Sequence, residues 1–239
     1  MNRSLARSTI YNTLSLCFTY PNEGVFSWIA EGKWVNQLRA SLGLLNEEGF
    51  EKTLRSFEEI FSGKREGLSL ELAREYTRLF VNAFPRVVAP PYGAVYLEKD
   101  GLVFGKSTSE VLRFYQDMGF GLKENIGDLP DHVAHELEFM GILTGQEAQA
   151  SGGEKVRLEE VQISFLSRFI VTWVPVFSEK VAAQSRSNFY RTLSDLTKEF
   201  INSEKNYLGI PEEIDPPKTG NPGSEEVENV KTLCHGHRS

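Results

Sequence analysis

Apolar residues recur at three- and four-residue steps through most of this chain. Phe50, Leu54, Phe57 and Phe61 form the clearest run, and Leu70, Leu72, Tyr76, Leu79 and Phe80 form another. That spacing puts them on one face of an α-helix. Leu5, Ile10, Leu14, Leu16 and Phe18 open the chain in the same way, and Tyr20-Pro21-Asn22 closes that helix. Trp28, Trp34, Leu38 and Leu42 predict a second helix that stops at Gly43. Further helices are predicted from about Ser107 to Met118, Leu129 to Ala150 with Asp128 as N-cap, Glu154 to Phe177, and Glu179 to Ser203. Pro175 kinks or ends the third of these. No proline falls between Asn22 and Phe84 or between Tyr92 and Leu129, which suits helices, since an interior proline costs about 3 kcal/mol.

The segment around residues 82–105 breaks the pattern. It carries Pro85, Pro90, Pro91, Gly93, Gly101 and Gly105, and reads as a long irregular loop with a short extended piece at Ala94–Leu97. Long ordered loops in compact domains often carry function. From Tyr207 onward large apolar residues thin out, and Pro211, Pro216, Pro217 and Pro222 cluster. The expectation is an all-α protein: one helical-bundle domain over 1–206 and a Pro/Gly-rich flexible tail over 207–239. No internal repeat is present, and no dinucleotide- or phosphate-binding glycine pattern.

Composition narrows the function. Of 239 residues, 40% are hydrophobic and 25% charged, with a net charge of −7. An acidic chain without clustered Lys and Arg is a poor nucleic-acid binder, and its surface suits a cationic partner. Two cysteines, Cys17 and Cys234, make no disulfide framework, which favours a reducing compartment. The first twenty residues superficially resemble a secretory leader, but Ser, Thr and Asn interrupt the apolar run and no small-residue cleavage site follows. No apolar run reaches the roughly 18 residues a membrane span needs. A soluble, cytoplasmic protein is expected.

The candidate chemistry centres on DLPDHVAHELEFM, residues 128–140. His132, His135 and Glu136 lie at helical spacing and share a face, with Asp131 near the helix start. Val133, Leu137 and Met140 point the other way, into the core. The polar set is therefore expected outward or in a groove, with Glu138 solvated. It could ligate a metal, act as an acid/base pair, or form a fixed binding patch. A metal-dependent hydrolase built on His132, His135 and Glu136 is the enzymatic alternative, although the order His-x-x-His-Glu differs from the zinc-protease motif. In the tail, Cys234, His235 and His237 are further candidate metal ligands, alone or folded back on His132 and His135.

The surrounding motifs bear a resemblance. EYTRLF (Glu75–Phe80), APPYGAVYL (Ala89–Leu97), GKSTSEVLRFYQDMGF (Gly105–Phe120) and LPDHVAHELEFM follow one another in an order that resembles the TorD/DmsD/NarJ family of redox-enzyme maturation chaperones. The opening Arg7-Ser-Thr-Ile-Tyr11 and Phe18-Thr-Tyr20-Pro21 look similar too, so the resemblance spans roughly residues 5 to 200. It implies an all-helical cytoplasmic protein with no catalytic residues and no cofactor of its own. Its partner would be the precursor of a molybdopterin-containing oxidoreductase subunit, bound through a twin-arginine leader, the apoenzyme body, or both. It would hold that client for cofactor insertion before export or assembly. The implied groove has Tyr76, Leu79 and Phe80 as floor, Pro90, Pro91 and Tyr92 as wall, and Asp131, His132 and Glu136 at the polar end. Asp131 would accept an arginine bidentately. A monomer or a domain-swapped dimer is compatible with such a bundle. Two positions depart from the family's usual pattern: Leu129 stands where many members carry an acid before Pro-Asp-His, and Ala94 where many carry Ser. Both departures are compatible with a member serving the enzyme body.

Overall fold

In the computed structural model, the described residues are 2–20, 22–45, 48–62, 66–84, 86–122, 128–211 and 231–233. Among them the architecture is helical. Helix α1 spans Arg3–Phe18, α2 Glu23–Glu31, α3 Trp34–Gly43, α4 Glu51–Phe61, and α5 Leu68–Tyr76, which runs on as a π-helical turn over Thr77–Val81. Then come the short α6 (Ala94–Leu97), α7 (Lys106–Asp117), strand β1 (Phe120–Leu122) and α8 (Val133–Glu147). Helix α9 (Gly152–Phe165) also ends in a π-turn, Leu166–Ile170, before α10 (Val174–Gln184) and α11 (Asn188–Tyr207). Strand β2 (Lys231–Leu233) lies parallel on β1.

Helix α1 lies along α8 at the centre. Small residues allow the close approach: Ser8 Oγ donates to the Gly141 carbonyl at 2.7 Å and Ser15 Oγ to that of Ala134 at 2.8 Å. A Cβ on Gly141 would meet the Asn12 amide. One end of this seam is locked by Arg7, which is fully buried. Its guanidinium holds Glu204 of α11 through Nε and Nη2 at 2.7 Å each, Glu147 of α8 at 2.9 Å and Gln162 of α9 at 2.8 Å. Tyr11 also donates to Glu204, at 2.9 Å. Four helices thus meet on one charged group. A buried arginine without such partners would be prohibitively costly.

Aromatic rings fill the spaces between helices. Trp34, Phe57, Phe61 and Phe189 pack edge to face between α3, α4 and α11. Phe18, Tyr76, Phe80, Phe177 and Tyr190 form a second group. Phe114, Tyr115, Phe139 and Phe165 form a third, under α7.

Several boundaries differ from the expectation. The second helix is two, α2 and α3, because Gly32 takes φ +68° where a Cβ would strike the Phe61 ring. Ala94–Leu97 is a helical turn instead of an extended piece. The helix expected at Leu129–Ala150 starts at Val133, and its N-cap is His132 instead of Asp128. Pro130 precedes the cap, and the Leu129 carbonyl already takes the His132 N–H in a turn. The long helix expected to Phe177 ends at the π-turn, and Pro175 opens α10 instead of closing it, as its missing N–H permits. α10 and α11 are separated at Ser185–Ser187, where the Ser185 and Ser187 hydroxyls take up backbone N–H groups.

At the C-terminal end, α11 reaches Tyr207 and Leu208 and Ile210 are buried, so packing continues past the expected boundary at 206. Most of the expected tail, with Cys234, His235 and His237, lies outside the described residues. Among the described residues no single helix is long and apolar enough to cross a membrane.

Candidate functional site

The irregular segment 89–97 is clasped to the start of α8. Tyr92 and His132 form an isolated antiparallel bridge. The Gly93 N–H donates to the Asp131 carbonyl at 2.9 Å, and the Val133 N–H to that of Pro91, also at 2.9 Å. Further back, the Ala89 N–H donates to the Leu79 carbonyl at 2.8 Å, tying the loop to the π-turn after α5. The loop is thus ordered by backbone hydrogen bonds on both sides of Tyr92.

Asp131 is the buried pin of this clasp. Its Oδ2 accepts from the Ala94 N–H at 2.8 Å, capping the first turn of α6, and from Thr108 Oγ1 of α7 at 3.0 Å. Tyr115 of α7 adds a hydrogen bond to the Pro130 carbonyl at 3.2 Å. Burial raises the Asp131 carboxyl above its ordinary range, opposed by the Ala94 and Thr108 hydrogen bonds. Glu136 lies deeper. Its Oε2 accepts from Trp173 Nε1 at 3.0 Å. Burial, then the nearby Asp131, push it well above the usual carboxylate range, against the pull of the Trp173 bond. Trp173 is itself stacked under Tyr96 of α6, with ring centroids 5.4 Å apart. Gly93 allows this close packing: a Cβ would come within 3.2 Å of Trp173 Nε1, so the ring would have to shift by a few tenths of an ångström.

The two histidines are committed to the backbone. His132 Nδ1 accepts from the Ala134 N–H at 3.1 Å, capping α8. Its proton therefore sits on Nε2, which faces Asp128 Oδ2 at 3.6 Å. His135 Nδ1 lies 2.9 Å from the Leu129 carbonyl and so donates to it. Among the described residues no group of three His, Cys, Asp or Glu side chains is placed to hold a metal ion.

The sequence-predicted residues are brought together, but not as expected. Asp131, His132, His135, Glu136 and Glu138 are buried, where the polar set was expected outward or in a groove and Glu138 solvated. Helix α8 is enclosed by α1, α9 and the clasp, so its polar side chains find protein partners instead of water. Tyr76, Leu79 and Phe80 belong to the aromatic core instead of flooring an open groove, at 2%, 0% and 4% exposure. Pro91 is buried, while Pro90 and Tyr92 are half-buried at the surface. Sequence reasoning gave Asp128 only the role of a helix cap; its side chain is 20% exposed and accepts the Tyr92 hydroxyl at 2.7 Å. It also missed Thr108, Trp173 and Gly93. Only Gly93, next to an aromatic in a Pro/Gly loop, carried a signal of close backbone approach.

The polar cluster of this helical bundle holds a surface loop in place. The family described as "Nitrate reductase delta subunit" matches residues 45–179, more than half of the chain. The chain belongs to this family, the TorD/DmsD/NarJ redox-enzyme maturation chaperones, and is a chaperone instead of an enzyme. It is similar to the chaperone protein TorD of Photobacterium profundum, with 29% identity over 60% of this chain and 67% of that one. The perchlorate reductase assembly chaperone of Dechloromonas aromatica is 26% identical over 85% of this chain and 90% of its own. A structure described as a redox enzyme maturation protein from Archaeoglobus fulgidus shares the fold, with a TM-score of 0.55 and 23% identity over 82% of this chain and 93% of that one.

Proposed function

We propose that this chaperone acts in the cytoplasm on the precursor of a molybdopterin-containing oxidoreductase subunit and holds it for cofactor insertion before export or assembly. The observation that carries this reading is the clasp, in a chain of this family: an ordered loop that offers Pro90 and Tyr92 at the surface beside the carboxylate of Asp128. An apolar wall beside a carboxylate fits a leader with a cationic start and an apolar stretch. A net charge of −7 would speed the approach of such a leader. Asp131, His132 and Glu136 contribute by fixing the loop, and Tyr76, Leu79 and Phe80 by supporting it from the core. The perchlorate reductase relative supports a redox-enzyme client, and either the leader or the apoenzyme body fits the site.

The test is capture from native cytoplasm on the tagged full-length chain, with Tyr92→Ala alongside. Enrichment of one molybdopterin catalytic subunit by the wild type, and its loss from the variant, is expected. No enriched redox subunit, or equal capture by the variant, would refute the proposal. Leader binding that rests on charge weakens with added salt, whereas binding to the body through apolar contact does not.

A further inference from the structure

Strand β1 is extended backbone set among helices. Gly119, at φ +73°, follows the last turn of α7 and directs the chain into it. Phe120 anchors the strand: its ring is buried and meets Phe139 of α8 edge to face, with centroids 5.2 Å apart. An extended backbone points its N–H and C=O groups sideways, and such an edge is a template for a second strand. Among the described residues that second strand is β2. It lies parallel, with Phe120 opposite Lys231, Gly121 opposite Thr232 and Leu122 opposite Leu233.

β2 is a weak occupant of this edge. It comes from beyond α11, with α8 to α11 between it and β1 in the chain. The ladder is three residues long. A two-stranded sheet of that size is marginal in water, and parallel pairing is the less stable kind. The sequence leading to it, 212–230, has no aromatic residue and only Ile214, Val227 and Val230 as aliphatic ones, so it adds little apolar surface to hold the strand. β1 is anchored separately, through Phe120. A fixed strand with a weakly held neighbour is built for strand exchange. The edge also adjoins the clasp: α7, which leads into β1, supplies Thr108 to Asp131 and Tyr115 to the Pro130 carbonyl.

We propose that the edge of β1 takes an extended segment of the client by strand addition, and that the chain's own Lys231–Leu233 is the resident competitor which the client displaces. The client half rests on the function proposed above. The tail shows what fits: an extended segment with β-branched residues such as Val230 and Thr232, recognised through its backbone. Its tether makes it an effective competitor, because a linked segment acts at an effective concentration near millimolar. A free segment wins the edge only when it too is held nearby, as a client docked on the clasp is.

The test removes the competitor within the full-length chain. In a parallel ladder alternate residues face the partner, so Thr232→Pro/Leu233→Pro deletes the tail N–H that donates to β1, whichever of the two it is. The probe is a fluorescein-labelled synthetic peptide of residues 225–233, read by anisotropy. It should bind the double variant about tenfold more tightly than the wild type, the ratio given by a tail seated about nine-tenths of the time. The same peptide N-methylated at Thr232 and Leu233 keeps its side chains and should not bind. The double variant should also capture severalfold more of the redox subunit from native cytoplasm. Thermal melts establish that it folds. Equal peptide affinity in the two chains, or binding that survives N-methylation, would overturn the strand site. Capture unchanged by the double variant would overturn the competitor role, as would wild-type dimers that the variant dissolves, since the tail would then pair between copies. If neither chain captures a redox subunit, the proposed function fails and takes the client half with it, while the peptide measurement still decides whether β1 accepts a strand.

Discussion

Arg7→Met removes the charge that joins four helices and keeps much of the side chain's volume. The arginine makes five hydrogen bonds to Glu204, Glu147 and Gln162, all of them buried. Without it, Glu204 keeps the Tyr11 hydroxyl, and Glu147 keeps Ser4 Oγ and the Gln162 amide, but among the described residues the ion pair left to them is that of Glu147 with Lys155, at 3.8 Å. Two carboxylates are then left in the interior with little compensation. Breaking one buried pair by removing a partner costs about 3–5 kcal/mol. Because the two pairs share one guanidinium, their costs are not additive, and a loss of about 4 kcal/mol is expected. For a chain of this size that lowers Tm by about 10 °C. The assay is urea and thermal unfolding followed by far-ultraviolet circular dichroism. A triple variant with Glu147→Gln and Glu204→Gln added should regain most of the loss, since the orphaned charges are gone. A single variant within about 1 kcal/mol of wild type, or a triple variant no better than the single one, would refute the reasoning.

Three further outcomes test the clasp. Glu136 has a folded-state pKa raised above its unfolded value, so it costs stability at neutral pH and costs nothing below about 4.5, where both states are protonated; Glu136→Gln should therefore raise Tm at about pH 8, with the gain fading toward about pH 4.5, and a lower Tm at the higher pH would contradict this. Asp131→Ala strips the Ala94 and Thr108 donors of their buried acceptor and should cost about 2 kcal/mol, with faster amide hydrogen exchange at Ala94 as the specific sign. Gly93→Ala should cost about 1–2 kcal/mol and shift Trp173 fluorescence, because that ring is stacked on Tyr96 and bonded to Glu136 and has little room to yield; an unperturbed spectrum would mean that the neighbours relax freely.

What could be read from the sequence follows from how far away the deciding partner lies. Helices with one wet face, such as α4 with Leu54, Phe57 and Ile60 buried, announce themselves by spacing alone. Helix α8 has twelve buried residues of fifteen, and so much burial erases the contrast between faces on which periodicity depends. Its polar residues were noticed, but their burial is decided by Trp173 and by the loop at Ala94, each 37 residues away. The N-cap was misplaced for a local reason: Asp128 looks like a cap, yet Pro130 stands between it and the first helical turn, and an imidazole took the role instead. The family's motifs were legible because they are short and lie in a fixed order, whereas the orientation of the Asp128 carboxylate depends on a tyrosine 36 positions upstream.

The seam between α1 and its partners also sets when this protein can exist. Arg7 and Glu204 are 197 residues apart, and α1 faces α8 over most of its length. At a translation rate of about 5–20 residues per second, α1 leaves the ribosome roughly 10–40 s before α11. During that interval α8 can already cover much of α1, but the Arg7 guanidinium lacks its Glu204 partner. The chain completes its own core only once α11 has emerged, so a protein that attends to another's assembly passes first through a window in which it is itself an unfinished client.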